Sequence, residues 1–418
     1  MSSQNATVKP SMLPIFVTVF IDMLGVGIII PVIPALFFEP GSGFFDGNIE
    51  KASISIIYGF LLASYPIMQF FGAPLLGALS DQHGRKPLIS LSLLGTMIGY
   101  LLFAIAILQQ NIVLLFLSRM LPGFTGGNIS IIFSAISDIS KDNEERTRNF
   151  GLVGMAFGLG FILGPTIGGL LADDSIVSWF NPTTPFWFTA FLTLANILLV
   201  RFRFRETIKE RRKTAITLFS GFRNVVRSFS APHLRAIFTV VLTLSLGFTF
   251  FTQFFSVRLI EKFNYSEANI GLLYGWIGIW LVFTQGVIVR YLSRRVAPKT
   301  VLRFSTLALG IALALILIPQ QDAWFYLINP FIAIAQGMTA PNLTSVVSSQ
   351  AKATEQGEIL GINQSMQSLG QAVPPILAGY LYAINSNFPL MAAAGFTLLG
   401  SLIFTINFSG KAKKVDLL

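Results

Sequence analysis

Three features of the sequence predict an all-α membrane protein with twelve transmembrane helices in two pseudo-symmetric six-helix bundles. Apolar residues far outnumber charged ones, apolar runs near helix-spanning length recur along the chain, and Lys and Arg fall almost entirely on one side of those runs. Hydrophobic residues make up 53% of the 418-residue chain and charged residues 11%, against about 25% charged in a soluble domain. A large core does not explain the deficit, because a soluble surface would still need covering. Phe occurs 40 times against 9 Tyr, a ratio suited to a wall that faces lipid.

A span needs about 20 mostly apolar residues. Such runs lie near 12–37, 53–79, 87–108, 112–138, 147–172, 184–201, 233–257, 267–293, 299–318, 323–349, 357–383 and 387–408. An even number puts both termini on one side. Of the 29 basic residues, Lys51, Arg258 and Lys262 fall on the face opposite the termini and Arg119 falls inside a run. All the others lie on the terminal side, which the positive-inside rule makes cytoplasmic. One missed span would scatter that asymmetry. The polar start of the chain has a single Lys9 and no small-residue cleavage site, so no removable signal peptide is expected.

Composition also excludes function classes. Without cysteine there is no disulfide, thiolate catalysis or Cys-based metal site. His83 and His233 are far apart and neither has ligand spacing. No Walker or dinucleotide motif is present, and no His/Asp, Ser/Lys or metal cluster suggests an enzyme. The net charge of +10 records topology, and no nucleic-acid partner is expected.

The chain is expected to divide into a first bundle at 1–200, a basic linker at 201–232 and a second bundle at 233–418. The linker carries Arg201, Arg203, Arg205, Arg211, Arg212, Lys213, Arg223 and Arg227. It reads as a surface for anionic lipid headgroups, with a calmodulin-type or nucleic-acid site as the alternative. The halves echo each other. Gly123-Phe-Thr125-Gly-Gly-Asn128 parallels Gly337-Met-Thr339-Ala-Pro-Asn342, Glu145 and Glu355 each precede a glycine by six, and Leu79-Ser80 matches Leu292-Ser293. Together these echoes indicate a 6+6 duplication, whose interface near the midplane is where transporters place substrate.

The sharpest motif is Gly77-Ala-Leu79-Ser-Asp81-Gln-His-Gly84-Arg85-Lys86, in the short turn between the second and third runs. Gly77 and Gly84 allow close approach and a tight turn. Asp81, Arg85 and Lys86 supply a charge-bonded latch between the halves, on top of an ordinary topogenic role. The pattern resembles the signature of the major facilitator superfamily. Two further stretches are similar to motifs of that family. Leu115-x-x-x-Arg119-x-x-x-Gly123-x-x-x-Gly127 resembles its intramembrane-arginine motif, with Pro122 where Gln is usual. Gly160-x-x-x-Gly164-Pro165-x-x-Gly168-Gly169 resembles the motif associated with its proton-driven antiporters. The opening Asp22-Met-Leu-Gly25-Val-Gly27-Ile-Ile-Ile-Pro31-x-x-Pro34 is similar to the first span of tetracycline/proton antiporters and related drug exporters. The second half departs from the pattern: Arg294 stands where the first-half turn has Asp81, and the ninth run has no acid.

That resemblance implies a secondary transporter that exports a small amphipathic organic compound in exchange for protons. A proton-coupled uptake symporter for a sugar, organic acid or other metabolite is the alternative. It further implies no cofactor beyond the proton gradient, a monomer among membrane lipids, and a bacterial inner membrane with both termini cytoplasmic.

Physical reasoning then ranks the residues. An ionisable group deep in a span costs about 2.5–3.5 kcal/mol and normally faces a cavity or a partner. Asp22 lies ten residues into the first run, about 15 Å along the axis. Arg119 lies eight residues into the fourth. Asp22 is expected to load and release protons under the influence of Arg119, or else the two form a fixed ion pair. The fifth-run glycines, Gly160, Gly164, Gly168 and Gly169, form a smooth packing stripe, and Pro165 bends the helix. This implies control of closure, or plain helix packing. Tyr58, Tyr65, Gln69 and Asn128 in the first half are candidates to line a substrate cavity. Gln253, Tyr274, Trp276, Trp280, Gln285, Gln336, Asn342, Asn363, Gln364 and Gln367 are candidates in the second. Amides facing lipid would lack partners, so these either meet substrate or join helices. Beyond Glu267 and Glu358 at their very starts, the second-half runs carry no acid, which fits a neutral or anionic, partly apolar solute.

Overall fold

A computed structural model describes residues 12–39, 45, 49–140, 143–208, 222–223, 226, 232–293, 295–350 and 356–408. Arg294, Glu355 and most of the basic linker lie outside the described residues. Each expected apolar run forms one helix: α1 (Leu13–Phe38), α2 (Lys51–His83), α3 (Arg85–Leu108), α4 (Ile112–Ile139), α5 (Asn143–Ala172), α6 (Thr184–Arg203), α7 (Pro232–Phe263), α8 (Glu267–Leu292), α9 (Pro298–Leu315), α10 (Ala323–Ser348), α11 (Gln356–Ile384) and α12 (Phe388–Phe408). Ten of them are long and apolar enough to cross a membrane by hydropathy alone. The other two, α10 and α11, hold the amides Asn329, Gln336, Asn342, Asn363, Gln364 and Gln367, which dilute their apolar stretches.

Local chemistry sets the ends. Asn111 accepts from the Leu114 N–H at 3.0 Å to start α4, and Ser266 accepts from Asn269 to start α8. Pro185 and Pro298 sit in the first turns of α6 and α9, where a missing N–H costs nothing. The sequence places the end of the seventh span at Val257, ahead of a charge. The helix instead runs on to Phe263, because Arg258 is only 3% exposed, with its guanidinium bonded to Asn387 and to the Leu317 carbonyl. Satisfied in this way, the charge does not end the helix.

The same pairing pattern repeats in both halves. In the first, α1 packs on α5 and α6, α4 on α2 and α3, and α3 on α6. In the second, α7 packs on α11 and α12, α10 on α8 and α9, and α9 on α12. Two long seams, α2 with α11 and α5 with α8, join the halves, and α1 meets α7 between them.

The core is divided along the axis. One large apolar cluster draws on both halves, from Ile28, Tyr58 and Phe103 to Phe254, Phe325 and Tyr382, and lies toward the face without termini. Toward the terminal face each half has its own cluster, one with Ile15, Leu88 and Ile136, the other with Ile237, Val346 and Phe404. The halves are therefore sealed together at one end and separate at the other.

Candidate functional site

The site begins with a fault in α4. Pro122 lacks an N–H to give to the preceding turn, and Gly126-Gly127-Asn128 form a 3₁₀ turn between the two α-helical stretches. Glycines allow this segment to sit against α2: a Cβ on Gly127 would meet the Gly72 and Ala73 backbone. The turn presents two groups. The Gly126 carbonyl accepts from Gln69 Nε2 at 3.1 Å, and Asn128 Nδ2 donates to Asp22 Oδ2 at 2.8 Å. Asp22 is half-buried and Asn128 is 2% exposed.

Arg119, 6% exposed, has its guanidinium carbon 4.9 Å from the centre of the Tyr65 ring, and its Nε finds no partner. Among the described residues no ion pair links Arg119 to Asp22. The fixed-pair alternative thus has no support in this conformation, and Tyr65 stands in electrostatic reach of both groups.

Other candidates divide between those with hydrogen-bond partners and those with buried polar atoms left unpaired. Tyr58 donates to the Gln253 carbonyl at 2.8 Å, a bond between the halves, and packs edge-on against Phe254. Tyr274 is buried beside Ser256 and the Thr252 carbonyl. Trp276 gives its N–H to the Tyr326 carbonyl at 2.9 Å, and Asn342 gives its amide to Met338 one turn back. Both brace the second half. Gln336, Gln364 and Gln367 are half-buried, Gln285 is exposed, and Asn363 Oδ1 and Trp280 Nε1 are buried without partners. These groups have hydrogen-bonding capacity left for a ligand. Below Trp280, α8 widens into a π-helical stretch, Thr284–Val289, a form common at functional positions.

The fifth-helix glycines serve two contacts. A Cβ on Gly164 would lie 2.5 Å from the Leu24 carbonyl and 2.7 Å from Gly27 Cα, and Gly160 and Gly168 also face α1. Gly169 alone of the four turns to α8, beside Glu267 and Gly271, where Thr166 Oγ1 donates to the Gly271 carbonyl at 3.1 Å. Farther toward the terminal face the seam opens, and a Cβ on Gly154 or Gly286 would meet nothing within 4 Å.

The turn motif forms a network inside the first half. Arg85 pairs with Asp81 at 2.6 Å and Asp138 at 3.2 Å and donates to Ser80, whose hydroxyl bonds the Gly77 carbonyl. Among the described residues, the partners of Arg85 and Lys86 lie in the first half or at the start of the linker, and none lies in the second half, so the expected latch onto the second half is not made by these two residues in this conformation. The sequence reading missed Asp138, Glu206 and Thr207. Glu206 was legible as a lone acid in the basic run Arg201-Phe-Arg-Phe-Arg-Glu206. Burial alone would raise its pKa. Backbone N–H bonds from Arg85, Ile208, Lys86 and Thr207 instead hold it below the usual carboxylate range. Also missed was the cross-half pair Lys51–Glu261 at 2.8 Å, with the Tyr382 hydroxyl on the same carboxylate.

Comparison with known proteins gives the same frame. The family described as Major Facilitator Superfamily matches residues 15–375 and 237–415. The chain is 29% identical to tetracycline resistance protein class H of Pasteurella multocida, covering 95% of this chain and 96% of that one. It is 30% identical to the class D protein of Salmonella ordonez, over 90% of each. With quinolone resistance protein NorA of Staphylococcus aureus (strain COL) it shares 27% over 96% and 97%. Among solved structures, the human organic anion transporter MFSD10 superposes with a TM-score of 0.71 at 22% identity, over 94% of this chain and 98% of that one. A D-xylose–proton symporter reaches 0.73 at 15%, over 94% and 96%. At those identities the two structures speak to the fold alone.

Proposed function

The chain belongs to the Major Facilitator Superfamily, and from that premise we propose that it exports a small amphipathic organic compound in exchange for protons. The terminal face is the cytoplasmic one, by the positive-inside rule. In this conformation each half keeps its own apolar cluster at that face, while one cluster shared by both halves lies toward the outer face, which fits a state open to the cytoplasm. The single observation that carries the reading is Asp22, a carboxylate about 15 Å inside α1, largely buried and held by Asn128 at the 3₁₀ break of α4.

The cycle follows from those parts. A proton taken up by Asp22 from outside removes the charge that Asn128 solvates and loosens α1 from the break in α4. Arg119, permanently cationic, favours release of that proton toward the cytoplasm. Substrate enters from the cytoplasm against the half-buried glutamines and against Trp280 and Asn363, whose unmet polar groups hydrogen-bond it. Re-pairing of the halves at the cytoplasmic end, with the outer seams released, then exposes it outside. The relatives named for tetracycline and quinolone resistance support an aromatic, drug-like cargo. No cofactor is needed beyond the gradient, and the working unit is a monomer in the plasma membrane with both termini inside. No bond in the cargo changes, so the protein is a carrier and not an enzyme.

The test is transport in proteoliposomes under an imposed proton gradient, with tetracycline and norfloxacin as first probes within a wider amphipathic panel. Movement of a probe against the proton flow, lost in Asp22→Asn, is the expected result. Movement along with protons identifies an uptake symporter instead, and coupling that survives Asp22→Asn rejects the assigned proton site.

A further inference from the structure

The connection from α6 to α7 is the only covalent link between the halves, and its first residues are fixed to the α2–α3 turn more firmly than the motif requires. Gly84 has a φ of +106°, a conformation open to glycine, and a Cβ there would lie 2.5 Å from Glu206 Oε2. The Glu206 carboxylate accepts from the Arg85 N–H at 2.9 Å and the Lys86 N–H at 3.1 Å. These are the first two donors of α3, which have no partner within their own helix. The same carboxylate also accepts from the N–H groups of Thr207 at 3.0 Å and Ile208 at 3.1 Å, which folds its own segment around it. A cap alone would need only the first two bonds.

The flanks are held too. Phe204 is 3% exposed in the first-half apolar cluster. Lys86 Nζ donates to the Arg201 carbonyl at 2.8 Å. Thr207 Oγ1 donates at 3.1 Å to Asp138 Oδ2, the same oxygen that Arg85 Nε reaches. A displacement of residues 204–208 therefore acts directly on Arg85, and through it on Asp81 and Asp138.

We propose that Glu206 is a positioning residue of the transport switch: it ties the start of the inter-half connection to the α2–α3 turn. A displacement of residues 204–208 during switching is thereby passed to the Arg85–Asp81–Asp138 network. This rests on the alternating-access reading above. Its negative charge makes it the fitting acceptor for four converging N–H donors, since charge-assisted bonds are the strong ones. Glutamine keeps the length and loses that charge.

The absence of native cysteine makes the test direct. Spin labels at Met155→Cys and Val287→Cys, exposed positions on α5 and α8 near the cytoplasmic gap, report the distance between halves in full-length protein in lipid. Glu206→Gln is expected to change the ratio of parted to closed populations about tenfold, the scale of one charge-assisted bond. It is also expected to lower the maximal transport rate with KM unchanged, and Glu206→Asp is expected to restore part of both. Distance distributions and transport that superimpose on the parent overturn the proposal. If Glu206→Gln reduces the yield of folded protein, Thr207→Val, which cuts the Asp138 link and keeps the cap, is read by the same two criteria. A Glu206-dependent shift that persists in Asp22→Asn separates this role from proton coupling. Distances that never respond to pH or ligand reject alternating access itself.

Discussion

The two halves repeat one packing pattern with different chemistry inside. The first half keeps its polarity in ionisable groups with fixed neighbours: Asp22 on Asn128, Arg119 under Tyr65, Arg85 between Asp81 and Asp138. The second, apart from Arg258 and Glu261 toward its outer end, keeps it in amides and indoles, several without partners, as at Asn363 Oδ1, Trp280 Nε1 and both polar atoms of Asn329. A carboxylate inside a membrane is useful because it can change charge. An unpaired amide or indole is useful because it can hold a neutral group without fixing it permanently. The difference is the ground on which we propose energy coupling in one half and recognition in the other, on a shared scaffold.

Asp22→Asn tests that division most severely. Proton-driven transport should fall at least about 100-fold, the scale expected when a proton-transferring side chain is removed, while ligand binding measured by tryptophan fluorescence is retained. If binding is lost in parallel, the halves do not divide the work. Next in size come two glycines on one helix. Gly164→Val places bulk against Leu24 and Gly27 and should destabilise the protein by about 1–3 kcal/mol. Gly154→Val meets nothing in this conformation and should leave Tm unchanged. It should slow transport if the cytoplasmic end must close on α5, so rates at equal Tm sharpen the contrast.

Trp280→Phe and Asn363→Leu each remove one hydrogen-bonding group from the second half. They should raise KM about three- to tenfold, the worth of one such bond, with the pH dependence of transport unchanged. A shifted pH profile would move proton handling into the second half. For Glu206 the sign follows from its lowered pKa. Its stabilisation is complete above the ordinary carboxylate range and is lost as pH falls through the lowered folded value. The Tm difference between the parent and Glu206→Gln should therefore be constant across neutral pH and shrink only in acid. The smallest effect is expected at the rim. Lys51 is 67% exposed in its pair with Glu261, so Lys51→Met should cost about 0.2–1 kcal/mol, less in high salt.

All twelve helices were legible in the sequence because crossing hydrocarbon imposes length and apolarity on every segment, even where amides dilute α10 and α11. The fourth-span glycines and Pro122 were read only as a motif and not as a break in the helix, whereas Asp22 stood out by the energetic penalty of a charge at that depth. The partners of Glu206, Asp138 and Lys51 were not legible, because a charged residue near a helix end is ordinary and what it bonds lies far away in the chain. Trp276 and Asn342 looked like ligand groups and proved to be bonded within their own half.

The sequence by itself determined the class, the number of spans and the residues whose burial would need a reason. Those are properties of single segments against a solvent, and composition records them. The tertiary structure alone decided that Asp22 is held by Asn128 rather than Arg119, that three fifth-helix glycines serve α1 and one serves α8, and that the halves part at the terminal end. Those are choices among partners distant in sequence, and they depend on distances that no single segment carries.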